Sequence, residues 1–195
     1  MKNVLILGAT GSVARHAVDL FLTETDAQLT LYVRNARRLK NVDPSRARVV
    51  EGDVLDAARL KEAMAGQDVV YANLAGDLER MARSVVRAMD ETGVHRLIWI
   101  SSMGIYNEVP GQRYRSVLDP YRDSARVIEA SDLDYTILRP AWFTDADEID
   151  YETTQKGEPF KGSVVSRRSV AALVIKLAQS PHLEARHSLG VSKPE

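Results

Sequence analysis

The sequence predicts an α/β protein built on a doubly wound parallel sheet. Short apolar runs alternate along the chain with longer segments whose apolar residues recur at helical spacing, which is typical of that class. The chain has 195 residues, of which 45% are hydrophobic, enough for one substantial core and few for two. We therefore expect a single domain over residues 1–195.

The first strand, turn and helix carry the clearest chemical pattern. The apolar run from Val4 suits a strand that is covered on both faces, and Gly8 permits a sharp exit from it. Gly11 leaves the backbone open to close approach, and a helix beginning near Ser12 offers unpaired N–H groups and the positive end of its dipole. Ala14 completes a G-x-x-G-x-x-A spacing. We interpret this turn as a pyrophosphate site of a dinucleotide, although an ordinary strand-turn-helix would share the same glycines. The residues assigned to it are Gly8, Thr10, Gly11, Ser12 and Val13.

The second predicted strand, residues 29–33, ends on Arg34, which lies 20 residues after Ala14. Folds that bind NAD place an acidic residue near this point, where it accepts a hydrogen bond from the ribose 2′-hydroxyl. An arginine cannot accept that bond but can pair with a 2′-phosphate, and Arg37 and Arg38 follow one helical turn later. The pattern therefore favours NADP(H) over NAD(H). The alternative is that these arginines form a solvated helix start.

The remaining elements continue the alternation. Apolar residues at helical offsets from Leu78 to Met89 predict a long helix, and Gly93 marks its C-terminal stop. Ser169 is predicted to cap the last helix, which Pro181 ends. Six strands with right-handed crossovers follow from this pattern. Beyond the first two strands, the predicted elements are strands at 48–54, 68–72, 95–101 and 135–138, and helices at 57–64, 78–93, 119–130 and 169–181.

Composition narrows the classes of function. Lys and Arg number 26 and Asp and Glu number 27, so there is no basic field that would hold nucleic acid or an anionic membrane. The chain has no cysteine, and its 4 histidines lack ligand spacing, so no metal site is expected. No apolar run reaches membrane-spanning length. We expect a soluble cytoplasmic protein whose partner is a small molecule. An oligomer is compatible with the sequence.

Taken together, several motifs resemble the atypical short-chain dehydrogenase/reductases, in particular the NAD(P)H-binding, NmrA-like and biliverdin/flavin reductase-like branch. The resemblance covers nearly the whole chain and implies a Rossmann domain with small substrate-side elements towards its C-terminal end. The motifs that carry it are Gly8-Ala9-Thr10-Gly11, Glu51-Gly52-Asp53-Val54, Ile100-Ser101-Ser102-Met103-Gly104, Ser131-Asp132-Leu133-Asp134-Tyr135-Thr136-Ile137-Leu138-Arg139-Pro140 and Ser166-Arg167-Arg168-Ser169-Val170-Ala171.

The resemblance also implies roles for residues at the strand exits. Asp53 and Val54 would flank the adenine, although an Asp after a strand is often only a turn former. Ser101 or Ser102 would bond a substrate carbonyl, the alternative being a serine pair that completes a strand-end turn. The ribose nearer the nicotinamide would be lined by Asn73, Leu74 and Ala75. The nicotinamide would lie beside Ser101, Pro140, Ala141 and Trp142.

One departure from the family is informative. Its classical members use a tyrosine proton donor with a lysine four residues later on the same helix face. Here Tyr121 is followed at that distance by Ala125, and Arg126, one residue further, is an imperfect substitute. Tyr121 is kept with Ser101 and Ser102 as a catalytic candidate. The standard interconversion of alcohols and ketones is therefore not expected.

A hydride acceptor that needs little help from the protein with its proton remains compatible with these residues. This favours an NADPH-dependent oxidoreductase acting on a flavin or quinone. The alternatives are a non-catalytic NAD(P)-sensing regulator and an epimerase- or dehydratase-like enzyme. Residues 145–152 are expected to form either a lid or a plain surface loop, with the lid favoured. The aromatic residues considered as walls for an acceptor are Tyr106, Trp142, Phe143 and Tyr151.

Overall fold

Strands and helices alternate along the chain as the hydrophobic pattern predicts. A computed structural model describes residues 1–194. Its helices are α1 (Ser12–Glu24), α2 (Ala57–Met64), α3 (Leu78–Thr92), α4 (Asp119–Glu129) and α5 (Arg167–Gln179). Its strands are β1 (Asn3–Leu7), β2 (Gln28–Val33), β3 (Ala47–Glu51), β4 (Val69–Ala72), β5 (Arg96–Ile100), β6 (Asp134–Pro140), β7 (Trp142–Thr144), β8 (Glu152–Thr154), β9 (Val164–Ser166) and β10 (His187–Ser192).

The main sheet has eight strands in the order β3-β2-β1-β4-β5-β6-β10-β8. All neighbouring strands run parallel except β8, which is antiparallel to β10. Strand order reverses beside β1, because β2 lies on one side of it and β4 on the other. A separate pair, β7 and β9, is also parallel. The predicted doubly wound class is confirmed, and the carboxyl ends of β1 to β6 meet at one edge.

Helices cover both faces of the sheet. Because side chains alternate across a strand, Val4 and Ile6 of β1 face α1 and α5, whereas Leu5 and Leu7 face α2, α3 and α4. All four side chains are fully buried. The unbroken apolar run that predicts a two-sided strand is therefore explained by a helical layer on each side.

Two sequence expectations need correction. The prediction of six strands omitted β7, β8, β9 and β10. The N-cap of α5 is Ser166, and the prediction of Ser169 was wrong. The Ser166 hydroxyl oxygen accepts a hydrogen bond from the Ser169 N–H at 2.9 Å, and Ser169 lies buried inside the first turn. No helix within residues 1–194 has the length and apolar content needed to cross a bilayer.

Candidate functional site

Two cavities open along the edge where the parallel strands end. The first cavity, of about 270 Å³, lies at the ends of β1 to β4. The second cavity, of about 200 Å³, lies at the ends of β5 and β6. No residue lines both. Parallel sheets bind ligands at this edge, near the reversal of strand order, so the two cavities form the candidate site.

The glycine turn of the first cavity is held by Asn73. The Asn73 N–H donates to the Leu7 carbonyl at 3.0 Å, and its side-chain Oδ1 accepts from the Ala14 N–H at 3.0 Å. Gly8 has φ of +75°, and a Cβ there would overlap the Asn73 carbonyl oxygen. A Cβ on Gly11 would lie 2.5 Å from Asn73 Oδ1. Both glycines are therefore required by Asn73 itself, a reason that the sequence did not reveal.

The start of α1 leaves N–H groups that suit an anion. The N–H groups of Ser12 and Val13 have no acceptor within residues 1–194, as expected for the first turn of a helix. The N–H of Ala14 is occupied by Asn73. The side chain of Val13 is fully buried, so Val13 can contact a ligand only through its backbone. Such a helix start favours a phosphate group.

Basic side chains stand at the far end of the first cavity. Arg34 and Arg38 line it, and neither guanidinium has an acceptor in the part of the chain that the structure describes. Residues Ala36–Arg38 form a short 3-10 turn that Asn35 caps, in place of a longer helix. Arg37 lies in that turn but does not line the cavity. Two uncompensated cations therefore face this end of the site.

Asp53 and Val54, which follow β3, also line the first cavity. Asp53 Oδ1 accepts from the Leu55 N–H at 2.8 Å, so the carboxylate does complete a turn, as the alternative interpretation expected. The Tyr32 hydroxyl donates to the Asp53 carbonyl at 2.9 Å. Burial raises the pKa of Tyr32 to about 12, with Asp56 adding to the shift, so the hydroxyl remains protonated. The sequence analysis missed Tyr32. Asn73, Leu74 and Ala75 also line this cavity.

The two serines of the second cavity differ in their hydrogen bonding. Ser102 donates to the Met103 carbonyl at 3.1 Å. Ser101 is only 5% exposed, lines the cavity, and its hydroxyl has no partner within residues 1–194. Buried hydroxyls are rarely left unpaired, so Ser101 is suited to bond a ligand. Ser102 is already satisfied within its own loop.

Tyr121 also lines the second cavity. Ala125 is buried against the core, and Arg126 points to Asp123 at 3.4 Å. The cavity wall beside β6 consists of Pro140, Ala141, Trp142 and Phe143.

The loop that follows β5 supplies a wall that sequence reasoning missed. Arg113, Tyr114 and Arg115 line the second cavity. The Tyr114 hydroxyl donates to Asp119 at 2.8 Å, and burial, with this bond, raises its pKa. The segment has no hydrophobic periodicity, so no pattern could have placed it. Of the four aromatic candidates, Trp142 and Phe143 line the cavity, whereas Tyr106 donates to Glu129 and Tyr151 packs against the core beside α5.

The loop between β5 and α4 is anchored by a buried ion pair. Arg139 on β6 is fully buried and pairs with Glu108. Glu108 accepts the N–H groups of Gly104 and Tyr106, each at 2.9 Å. Arg139 also donates to the hydroxyl and carbonyl oxygens of Ser188 on β10, each at 3.1 Å. The pair thereby ties the loop to two strands.

Residues 145–152 are fixed near their middle. The Glu148 carbonyl accepts from the Ser166 hydroxyl at 2.8 Å, and the Asp150 N–H donates to Ser169 Oγ at 2.9 Å. Lys193 pairs with Glu148 at 2.7 Å. These contacts are those of an anchored surface segment, in contrast to the favoured lid. Within residues 1–194, no cluster of three or more His, Asp or Glu side chains could hold a metal ion.

Comparisons with known proteins agree with this geometry. A family model described as NAD(P)H-binding matches residues 8–181. A solved structure from Shigella flexneri, a Rossmann-fold NAD(P)-binding family protein, is 46% identical, with a TM-score of 0.89 and coverage of 100% of this chain and 94% of that one. A Veillonella parvula short-chain dehydrogenase/reductase in complex with NADP is 30% identical, with a TM-score of 0.90 and coverage of 99% and 95%. The Bacillus subtilis protein named uncharacterized sugar epimerase YhfK is 26% identical over 94% of this chain and 91% of its own length.

Proposed function

Because the chain belongs to the NAD(P)H-binding family, among the atypical short-chain dehydrogenase/reductases, we propose that it is an NADPH-dependent oxidoreductase acting on a small conjugated acceptor of the flavin or quinone type. One observation carries the proposal. Ser101, whose buried hydroxyl has no partner within residues 1–194, lines an aromatic-walled cavity on the same sheet edge as the glycine turn. This edge of the sheet thus has one cavity that suits phosphate groups and a second cavity that suits the molecule to be reduced.

The residues present fit a dinucleotide. The N–H groups of Ser12 and Val13 would hold the pyrophosphate, with Gly8, Thr10 and Gly11 forming the turn. The adenine would lie against Asp53 and Val54, and the ribose nearer the nicotinamide against Asn73, Leu74 and Ala75. The nicotinamide would lie beside Pro140, Ala141 and Trp142.

NADPH, when bound, supplies a hydride to the acceptor, which takes one proton from solvent while NADP⁺ remains. Ser101 donates a hydrogen bond to a carbonyl oxygen of the acceptor and polarises it. Tyr121 contacts the acceptor from α4, and Trp142 covers the ring and excludes water. The protein thus contributes mainly position and orientation.

The choice of NADP(H) over NAD(H) is supported by Arg34 and Arg38. Both line the first cavity without an acceptor in the described part of the chain. A guanidinium pairs well with a phosphate, and two of them at one end of the cavity suit the 2′-phosphate.

Turnover tests the proposal directly. NADPH consumption is followed with menadione and with riboflavin as acceptors, for the wild-type protein and for Ser101→Ala. We expect steady consumption by the wild-type protein and about a tenfold lower kcat in the variant, from loss of one hydrogen bond to the reacting group. Ser102→Ala is the matched control, and its kcat should change little because that hydroxyl bonds its own loop. Absence of turnover with a broad acceptor panel would refute the proposal.

A second candidate is a non-catalytic sensor of NAD(P). The observation that favours it is that no basic residue stands four positions after Tyr121, since Ala125 is found there and Arg126, one residue further, pairs with Asp123. Tight nucleotide binding without turnover is the expected result for a sensor. An epimerase- or dehydratase-like activity, suggested by the name of the Bacillus relative, would leave the total amount of NADPH unchanged while converting a sugar.

A cytoplasmic location is also part of the proposal. It is supported by the absence of cysteine from the sequence, which suits a reducing compartment. Cell fractionation tests it, and size-exclusion chromatography with light scattering tests whether the protein is an oligomer.

A further inference from the structure

The second cavity carries a positive charge that the proposed chemistry does not use. Its lining contains Arg113 and Arg115 and no Asp or Glu. Neither guanidinium has a carboxylate within ion-pair distance or a hydrogen-bond acceptor among residues 1–194. Two uncompensated cations at the rim of a cavity attract an anion.

Neighbouring arginines behave differently. Arg122 pairs with Asp119 at 3.3 Å and with Asp123 at 2.9 Å, and Arg167 pairs with Asp145 at 2.8 Å. Arg122 and Arg167 are therefore paired with carboxylates, whereas Arg113 and Arg115, which line the cavity, are not paired within residues 1–194.

The lining of the second cavity also contains large apolar side chains that remain exposed. Trp142 is 62% exposed, Phe143 is 36% exposed and Val117 is 62% exposed. Large apolar side chains that remain exposed around a concave site mark ligand-binding surfaces. Aromatic side chains of this kind suit a planar ring, which stacks on them with offset geometry.

We infer that the second cavity takes a planar conjugated molecule that carries a negatively charged side group, a phosphate or a carboxylate. Trp142 and Phe143 cover the ring, Ser101 bonds a carbonyl oxygen of it, and Arg113 and Arg115 bind the anionic group through charge-assisted hydrogen bonds. The inference rests on the proposed function only where it identifies this molecule as the hydride acceptor.

The anion that Arg113 and Arg115 bind is separate from the cofactor phosphates. These arginines do not line the first cavity, which contains the glycine turn and the helix start that suit the pyrophosphate. Arg34 and Arg38 face the other end of that cavity. Each phosphate of the cofactor therefore has a partner that does not involve the second cavity.

FMN and riboflavin test the inference, because they share one ring system and differ by a terminal phosphate. Their dissociation constants are measured by quenching of flavin fluorescence, with NADP⁺ present, for the wild-type protein, Arg113→Met, Arg115→Met and the double variant. We expect the wild-type protein to bind FMN about tenfold more tightly than riboflavin or better, as charge-assisted bonds predict. The double variant should bind both flavins equally while its affinity for riboflavin stays near the wild-type value.

Arg126→Met is the matched control, because Arg126 is exposed on α4 and does not line the cavity. It should keep the preference for FMN. Rising NaCl concentration should reduce the preference of the wild-type protein and leave riboflavin binding nearly constant. Unchanged thermal midpoints would show that all variants fold, as expected for exposed side chains.

Two results would overturn the inference. One is equal affinity of the wild-type protein for FMN and riboflavin. The other is weaker NADPH binding in the double variant with the flavin preference intact, which would assign the arginines to the cofactor. A preference for FMN that is lost in the double variant, without any NADPH consumption, would refute the proposed oxidoreductase and still support recognition of an anionic planar ligand.

Discussion

At the scale of single residues, Asn73 decides the shape of the glycine turn. It joins the end of β4 to the start of α1 through the Ala14 N–H, a contact between residues 59 positions apart. The sequence pattern predicted the turn, because the glycine spacing is local. It assigned Asn73 to the ribose instead, because a bond over that separation has no local signal. The side chain that shapes the glycine turn could be found only in the structure.

A double-mutant cycle tests this role of Asn73. Gly11→Ala should lower the free energy of unfolding by about 1–3 kcal/mol, because the new Cβ meets Asn73 Oδ1 at 2.5 Å. Asn73→Ala should lower it by about 1–3 kcal/mol by leaving the Ala14 N–H without its acceptor. The double variant should lose less free energy of unfolding than the sum of the two single losses. The reason is that the Asn73 substitution removes the Oδ1 that the new Cβ at position 11 would meet. Strictly additive losses in urea denaturation would show that the two residues act independently.

Arg34 and Arg38 yield a prediction about cofactor choice. Arg34→Ala should weaken NADPH binding about tenfold or more and NADH binding little, because only NADPH carries the 2′-phosphate. Isothermal titration with both nucleotides measures the difference. Arg37→Ala is the control, because Arg37 lies in the 3-10 turn beside Arg38 but does not line the cavity. Equal losses for the two nucleotides in Arg34→Ala would remove the basis for NADP(H).

At the scale of elements, the first six strands could be predicted and the last four could not. Strands β1, β2, β4, β5 and β6 are buried along almost their whole length, so they appear as apolar runs. Strand β3 lies at the edge of the sheet and is mostly exposed, and only its short Val49-Val50 pair marked it. Strands β7, β8 and β9 have three residues each, too few for a period to show. Strand β10 contains Gly190, where a Cβ would overlap Thr154 and Phe160 side chains. Its small residues fit a crowded site and give no strand signal.

Ser166, at the start of α5, makes two structurally different hydrogen bonds. Two serines three residues apart, Ser166 and Ser169, both fit the cap pattern, and only the structure distinguishes them. Ser166 caps the helix and also donates to the Glu148 carbonyl, while Ser169 accepts from the Asp150 N–H. The helix start therefore fixes residues 145–152 as well as itself.

Ser166→Ala should loosen this segment. We expect a loss of about 1 kcal/mol in the free energy of unfolding from the missing cap, and faster hydrogen exchange at residues 148–150. Asp56→Ala removes the cap of α2 and is the matched control, with a similar loss and unchanged exchange at 148–150. Unaltered exchange in Ser166→Ala would mean that the segment is held by its ion pairs alone.

At the scale of the whole molecule, the Arg139–Glu108 pair joins the loop between β5 and α4 to the sheet. Arg139 lies in β6 but just beyond the strand predicted at 135–138, and its burial did not follow from the sequence pattern. Its guanidinium reaches Glu108 and Ser188 and lies 5.2 Å from the centre of the Tyr106 ring. Three parts of the chain thus depend on one buried charge.

Removing one partner of this buried pair should cost more stability than removing both charges. Arg139→Met should lower the free energy of unfolding by about 3–5 kcal/mol, because Glu108 would remain charged and buried. Adding Glu108→Gln removes that charge, so the double variant should be more stable than Arg139→Met alone. Denaturant unfolding measures both. If Arg139→Met does not fold, recovery of folded protein by the second substitution gives the same answer, and failure to recover it contradicts the role of the pair.

The position of Ser188 has a consequence for protein synthesis. The ribosome makes Ser188 49 residues after Arg139, which corresponds to a delay of roughly 2 to 10 seconds during translation. Until that residue emerges, Arg139 has Glu108 as a partner but lacks the two Ser188 oxygens that also accept from its guanidinium. The buried network that anchors the loop between β5 and α4 is therefore completed only after β10 has been made.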